Sequence, residues 1–340
     1  FTPSATETPS PGPTATEAVV WQLSHCVADL AIGPNPTDAP NPFATNTPNT
    51  PNSITPAPTS LLLDGAAPFA PGETGLILAD FWYGDTNIFI ESLLEQTFSV
   101  ANVPFIRAHY WFDDYEQVLA ESALYNATIL ISGCYTEGHM IVNFDIVPRP
   151  EVRTTRVIDN WPILHHLDSF AVRLYPGMDS AVIGDIATGL SHYFEQNYTG
   201  ATEAFDRAEA QIPYDMLGPT GMSALSFYRG NSHYQMGNYE RALVSYERAV
   251  ELNSNIAAFW HNACVTHRNV GEYDHSIIDC TQAIELPSMS PISYWARGRV
   301  FYELGNYDQA IADYLVYGEL SGQFEPFMQE QFPELQAEDG

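Results

Sequence analysis

The chain of 340 residues is long enough for two compact units, and its 45% hydrophobic content is sufficient for real cores. Its 42 Asp and Glu residues far outnumber its 12 basic residues, all of them arginine, and the formal charge is −30. This charge excludes nucleic acid and anionic lipid as partners and favours cationic partners and divalent cations. No apolar run approaches the roughly 18–20 residues that a membrane span needs.

The start of the sequence indicates an extracytoplasmic protein. It begins with Phe1 and has no basic or apolar leader, so we expect that a targeting signal has been removed; the alternative is an arbitrary boundary. Four cysteines without a CxxC motif suit two disulfides. Thr/Pro-rich sequence of this kind is typical of O-glycosylated extracellular stalks. We therefore expect the protein outside the cell or on a bacterial cell surface.

Residues 1–60 form an arm with twelve prolines, interrupted by the apolar stretch EAVVWQLSHCVADLAI. Alternating side chains predict a strand near residues 19–25. Its apolar positions are Val19, Val20, Trp21 and Leu23. A Pro/Thr-rich tract cannot bury enough apolar surface to offset its chain entropy, so an ordered arm requires a partner. The strand would add to a sheet edge in its own chain or in a neighbouring copy.

Hydroxyl side chains next to the prolines of the arm are candidate acceptors of O-linked sugar. They are Thr2, Thr8, Ser10, Thr47, Thr50 and Thr55. Asn126 in NAT and Asn197 in NYT match the N-glycosylation pattern, and the alternative is a chance match.

Residues 61–150 are predicted to form a small α/β domain with the order β-α-β-α-β-β. TGLILADFWY and PFIRAHYWF indicate buried strands, while NIFIESLLEQTFSV and DDYEQVLAESALYNA indicate helices. TILISGCYTEGHMIVNFDIV indicates a hairpin that turns at Glu137-Gly138. This order and the closing hairpin resemble the amino-terminal α/β domain of TolB-type periplasmic proteins, a module often followed by helical repeats.

Residues 151–181 are interpreted as a connector, and residues 182–322 as a repeat region. Three segments align there: GNYERALVSYERAVEL, GEYDHSIIDCTQAIEL and GNYDQAIADYLVYGEL. Their tyrosines, Tyr239, Tyr273 and Tyr307, are 34 residues apart, which is the tetratricopeptide (TPR) period. The region resembles the TPR family, and a degenerate copy around Tyr198 brings the repeats to four.

The predicted fold class is α+β. A small mixed sheet domain precedes an all-α TPR solenoid, and the extended Pro/Thr-rich arm carries one strand. Residues 323–340 are interpreted as a capping helix and tail.

The resemblance assigns roles to positions within each repeat, numbered so that the aligned tyrosine is position 17. Small residues at positions 8, 20 and 27 let the two helices approach closely, and the turn glycine at position 15 is left-handed. The first repeat has Gln196 in place of that glycine.

Two disulfides are predicted. Cys264 and Cys280 fall at positions 8 and 24 of one repeat, on facing sides of its helices; the alternative is two buried thiols. Cys26 would meet Cys134 if the strand of the arm pairs with the α/β sheet.

In this family, positions 2, 5, 9, 12 and 13 of each first helix line the inner face of the array. The residues so implied are Phe227, Asn231, Tyr234, His261, Arg268, Trp295, Arg299 and Tyr302. Aromatic rings between hydrogen-bonding groups suit an extended Pro-rich peptide. The lysine-rich set that binds a C-terminal carboxylate in some members is absent, which argues against chaperone-tail recognition. The alternative is that this face packs against the chain's own linker.

The sequence has no nucleophile–base pair, no HExxH motif and no Cys/His cluster at ligand spacing. We therefore predict no catalytic residue, no cofactor and no metal ligand. His192, His233 and His267 share position 11 of their repeats and are interpreted as core residues.

These observations predict a non-enzymatic, secreted structural protein. Its partner is another copy of itself, because arm exchange between subunits propagates into an extracellular filament unless a ring closes. The alternative is a monomeric extracytoplasmic TPR adaptor that binds another protein or peptide. A hydrolase built on the α/β domain is a third, weaker hypothesis.

Overall fold

A computed structural model describes residues 66–70, 73–82, 90–108, 120, 122–136, 139–147, 163–176, 178–217, 221–287 and 289–321. The strands are β1 Gly75–Trp82, β2 Phe105–Arg107, β3 Ala127–Thr136, β4 His139–Ile146 and β5 Ser169–Leu174. The helices are α1 Ile90–Ala101, α2 Ala181–Phe194, α3 Tyr198–Ala210, α4 Ser223–Gln235, α5 Tyr239–Leu252, α6 Ala257–Val270, α7 Tyr273–Glu285, α8 Ile292–Glu303 and α9 Tyr307–Ser321. A 3₁₀ turn, Tyr214–Met216, follows α3.

Three predicted features lie outside the described residues: the arm, residues 323–340 and most of the helix in DDYEQVLAESALYNA, of which residues 122–125 are helical. Within the described part of the chain, no helix is both long and apolar enough to cross a membrane.

The strands form one mixed sheet in the order β2-β1-β3-β4-β5. β1 is parallel to β2 and β3, and the pairs β3–β4 and β4–β5 are antiparallel. Strand β1 is apolar on both faces because each face is covered: Leu76 and Leu78 join the main core, whereas Ile77 packs in a second core. The small mixed sheet predicted from the sequence is confirmed.

The fifth strand is a difference from the sequence prediction, because it lies within residues 151–181, interpreted as a connector. Phe170 of β5 pairs with Phe144 of β4, and their rings stack with centroids 4.9 Å apart. The strand has six residues, and its pairing is with a distant segment, so no local pattern separates it from a loop. Phe170 also contacts the Tyr228 ring of α4, which joins the sheet to the helices.

Helices α2 to α9 pair as four consecutive helix–turn–helix units, and the turn between paired helices repeats its backbone conformation. Gly237, Gly271 and Gly305 have φ angles of 76°, 86° and 78°. Gln196 holds the same turn position in the first unit with φ 62°, so the fold imposes a left-handed residue there whichever side chain is present.

Paired helices approach most closely at positions 8 and 24. A Cβ atom on Gly230 would lie 2.5 Å from the ring of Tyr246, and one on Gly298 would lie 2.8 Å from the ring of Tyr314. In the third unit the same two positions hold Cys264 and Cys280, which form a disulfide with Cα atoms 5.2 Å apart. The two helices of a unit are thus joined at these positions either by a small residue that packs against an aromatic ring or by a disulfide bond.

Cys134 on β3 is also disulfide-bonded. Cys26, its predicted partner, lies outside the described residues.

Replacing Gln196 with glycine is expected to stabilise the protein by about 0.5–1 kcal/mol, because the left-handed conformation strains a side-chain-bearing residue. Urea unfolding measures the change. The reciprocal variant Gly271→Gln is expected to destabilise by a similar amount, since a Cβ atom there meets no neighbour and only backbone strain differs. Equal stability of wild type and Gln196→Gly would contradict the assignment.

Candidate functional site

The inner face of the array is occupied in part by the chain itself. Residues 163–168, which we call the inner segment, lie directly before β5 and cross the first helices of three units. Ile163 and Leu167 are buried in the main core, with exposed fractions of 4% and 8%. The segment therefore contributes apolar side chains to the array as well as the backbone contacts described next.

Asn262 of α6 binds the backbone of Leu164 through two hydrogen bonds. The side-chain Nδ2 donates to the Leu164 carbonyl and the Leu164 N–H donates to Oδ1, both at 2.8 Å. Using the N–H and the C=O of one residue is the arrangement that a neighbouring β-strand would adopt. Asn262 is fully buried, so a direct partner is needed for each of its polar atoms.

Asn231 of α4 adds a second amide to this contact. Its Nδ2 donates to the carbonyls of Leu164 and His165 at 3.1 and 3.2 Å. Its Oδ1 accepts from the Tyr246 hydroxyl and from Nδ2 of Asn262, both at 2.7 Å. Hydrogen bonds within the array therefore orient both asparagine side chains, in addition to their bonds with the inner segment.

Two tyrosines complete the backbone contacts. The Tyr193 hydroxyl donates to the carbonyl of His165 at 2.8 Å, and the Leu167 N–H donates to the Tyr228 hydroxyl at 3.2 Å. Burial raises the pKa of both phenols above the ordinary value, so both remain neutral over the physiological range.

Of the eight residues implied for the inner face, Asn231 contacts the inner segment. Phe227, Tyr234, His261 and Trp295 are buried, with exposed fractions of 6% or less. In the first three units the inner face packs against the inner segment. This is the alternative that the sequence analysis considered, in which the face packs against the chain's own linker.

The sequence analysis missed Asn262 and Tyr228, which lie at position 6 of their repeats, outside the family positions used. It also missed Tyr193, which lies at position 12 of the first repeat, a repeat that was left out of the implied set.

One edge of the inner face is closed by contacts between position 12 of one unit and position 13 of the next. Tyr234 accepts from Asn269 at 2.9 Å. Arg268 forms a two-point ion pair with Glu303 at 3.1 and 2.6 Å. These side chains connect successive first helices rather than projecting separately into solvent.

The fourth unit carries the more accessible part of the predicted face. Tyr302 is 38% exposed and packs edge-on against Tyr307. The Arg299 guanidinium lies 5.9 Å from the Trp295 ring centroid. We call Trp295, Arg299 and Tyr302 of the fourth unit, together with Arg268 of the third unit, the distal surface.

The two candidate N-glycosylation sites have roles in the fold. Asn126 donates to the carbonyls of Phe69 and Ala70 at 3.1 and 3.4 Å. Asn197 begins α3, where Oδ1 accepts from the Gly200 N–H at 3.1 Å. Their glycosylation stays a prediction, and the O-glycan candidates of the arm lie outside the described residues.

Comparison with known proteins decides the nature of the helical array. Tetratricopeptide repeat models match residues 225–256 and residues 292–315. The array contains tetratricopeptide repeats. Their predicted presence is confirmed, whereas the comparisons lend no support to the TolB-type resemblance or to a secreted arm, which stay predictions. No curated protein matches the chain.

Several solved TPR structures are similar to part of the chain. The second TPR domain of human RPAP3, in complex with an HSP70 peptide, is 29% identical and covers 30% of this chain and 86% of that domain, with a TM-score of 0.29. A TPR protein from Parabacteroides merdae is 20% identical and covers 43% of this chain and 55% of its own, with a TM-score of 0.38. YrrB, a TPR protein with an unusual peptide-binding site, is 17% identical and covers 42% of this chain and 71% of its own, with a TM-score of 0.37.

Asn262→Ala is expected to destabilise the protein by about 2–3 kcal/mol, because it leaves the Leu164 N–H without its partner and removes one of the two donors to the Leu164 carbonyl and to Oδ1 of Asn231. The midpoint and slope of urea unfolding measure the loss. Asn255→Ala is the matched control: it removes an exposed amide just before the same helix and should change stability by less than about 0.5 kcal/mol. A loss below 1 kcal/mol for Asn262→Ala would contradict the role assigned to it.

His165 is expected to make stability depend on pH. Burial, with a smaller effect from neighbouring His166, lowers the pKa of His165 to about 4 from its ordinary value of 6.5. The unfolded chain therefore binds the proton more readily, and stability present above pH 6.5 is lost as the pH falls toward 4.

Between pH 7.5 and 4.5, wild type should lose about 2–3 kcal/mol more than His165→Gln, measured by urea unfolding of both. Comparing the two proteins cancels the opposite contribution of Asp145, whose pKa is raised to about 7 by burial. Parallel pH profiles would exclude His165 as the source.

Proposed function

We propose that the chain is a non-enzymatic adaptor, located outside the cytoplasm, which holds an extended segment of a partner protein on the inner face of its repeats. The observation that carries this proposal is the distal surface, which continues the face on which Asn231 and Asn262 hold the inner segment. TPR arrays present a concave surface suited to protein and peptide binding, which agrees with this role.

Recognition of backbone is central to the proposal. Most polar contacts from the array to the inner segment go to N–H and C=O groups of Leu164, His165 and Leu167, which every non-proline residue offers. A contact to a side chain is made by Gln235, whose Nε2 lies 3.5 Å from Nδ1 of His165. A surface that binds the backbone of an extended chain tolerates many sequences, because it selects for backbone conformation more than for side-chain identity.

The distal surface is the place proposed for the partner. The inner segment fills the face of the first three repeats, and removing it would expose buried Ile163 and Leu167, so displacement is costly. Half-exposed Tyr302 and partly exposed Arg299, whose guanidinium lies 5.9 Å from the ring centroid of buried Trp295, continue the same face into the fourth repeat. Aromatic and guanidinium groups are the side chains that dominate binding energy at interfaces.

A proline-rich partner segment fits the aromatic part of this surface, and flanking basic residues suit the acidic remainder of the chain. Proline holds the backbone extended before binding, so less chain entropy is lost on docking. The charge of −30 attracts a basic segment and raises its rate of association.

The extracytoplasmic location is supported by cysteine chemistry. Cys264 and Cys280 are bonded, Cys134 is bonded, and no described cysteine is free. Disulfides persist in oxidising compartments and are rare in the cytosol.

The filament prediction requires residues 19–25 of the arm, which lie outside the described residues. It stays a prediction, and no contact among the described residues favours it over the adaptor.

Fluorescence anisotropy tests the adaptor proposal, with a labelled twelve-residue proline-rich peptide containing arginines as the probe and the full chain as receptor. We expect saturable binding that Tyr302→Ala weakens at least tenfold. Tyr214→Ala removes an equally large ring that is 78% exposed and distant from the inner face, and it should leave affinity unchanged.

A glycine-rich peptide of equal charge is the second control and should bind more weakly, since it is not held extended. Absence of saturable binding, or equal weakening by both tyrosine variants, would contradict the proposal.

A further inference from the structure

The turn between α6 and α7 brings together three side chains that the sequence pattern did not associate. His267 lies in the last turn of α6, Glu272 caps the start of α7, and His275 follows in its first turn. Each offers a nitrogen or oxygen ligand atom, and these atoms all lie within 4.8 Å of one another. They match no metal-binding motif because the turn, rather than a fixed helical spacing, places them together.

His267 is held in an orientation suited to a ligand. Its Nδ1 lies 2.7 Å from Oδ2 of Asp279, and because the carboxylate accepts, Nδ1 carries the proton. The other ring nitrogen, Nε2, faces the Glu272 carboxylate at 3.7 Å and carries a lone pair in the neutral ring. Metal-binding histidines are commonly oriented by such a carboxylate on their second nitrogen.

The remaining ligand atoms are close to the spacing that zinc requires. Nδ1 of His275 lies 3.0 Å from Oε2 of Glu272. Tetrahedral zinc with bonds of about 2.0–2.1 Å places neighbouring ligand atoms about 3.3 Å apart, between the 3.0 and 3.7 Å observed here. The ligand atoms of His267 and His275 lie within 4.8 Å of each other, so the exposed Glu272 and His275 side chains must rotate toward His267 to close the site.

The surroundings favour a cation and keep the ligands in place. Asp279, together with Glu247 from α5, adds negative charge around His267. Cys280, next to Asp279, is bonded to Cys264, so a disulfide holds the two helices that carry the ligands. The negative end of α6 and the positive end of α7 meet at this turn and largely offset each other.

We propose that His267, Glu272 and His275 form a zinc-binding site, with Asp279 as the residue that positions His267. Two imidazoles and one carboxylate are a donor set that zinc accepts, with water as the fourth ligand, whereas calcium and magnesium prefer oxygen ligands throughout. The bound ion links the end of α6 to the start of α7 and stiffens the turn of the third repeat. The site is independent of the peptide surface proposed above.

Isothermal titration calorimetry of the full chain with Zn²⁺, in a buffer that does not bind metal, tests the site. One ion per chain is expected to bind in the tightest step. His275→Ala and Glu272→Gln should each weaken that step at least tenfold. Both residues are more than half exposed, so neither variant should impair folding.

Asp274→Asn is the matched control, because it removes the same charge as Glu272→Gln from the same helical turn at an exposed position outside the cluster. Its affinity should stay within twofold of wild type. Titration with Co²⁺ provides a second readout, since four-coordinate cobalt absorbs strongly in the visible and His275→Ala should abolish the band.

Unchanged affinity in His275→Ala would overturn the proposal. Equal weakening by Asp274→Asn and Glu272→Gln would also overturn it, since that outcome indicates diffuse attraction by the acidic surface.

Discussion

The close approach of paired helices at positions 8 and 24 is the constraint on which the rest of the array depends. It requires a glycine at position 8 wherever an aromatic ring fills position 24, as in Gly230 with Tyr246 and Gly298 with Tyr314. The same contact serves the inner face, because the hydroxyl of Tyr246 binds Oδ1 of Asn231 at 2.7 Å. Packing between two helices thus fixes the amide that holds the inner segment.

The inner segment connects the sheet to the helical array. It leaves the inner face of the repeats and continues directly into β5, so the chain that fills the array also completes the sheet. Backbone hydrogen bonds hold it at one end and strand pairing holds it at the other. The first three repeats therefore use their inner face within the chain, and the fourth retains the surface with half-exposed Tyr302.

Features that repeat locally could be predicted from the sequence. The 34-residue period, the left-handed turn position and the facing cysteines all follow from spacing within one unit. The inner segment, β5 and Asn262 could not be predicted, because their partners are 24 to almost 100 residues away, as in the Leu164–Asn262 bonds with a separation of 98. The His267 cluster was missed for a related reason: its geometry is set by a turn, whereas motifs record fixed spacing.

The disulfide between Cys264 and Cys280 replaces the glycine–aromatic contact that closes the other repeats. A cross-link over 16 residues restricts the unfolded chain and contributes about 3 kcal/mol. In a linear array each repeat is stabilised by its neighbours, so the weakest unit decides where cooperativity breaks. Under reducing conditions the third repeat would have neither an aromatic ring nor a cross-link at positions 8 and 24. Its helices would then be held by contacts such as the His267–Asp279 bond, so the redox state of the surroundings sets the stability of the interior of the array.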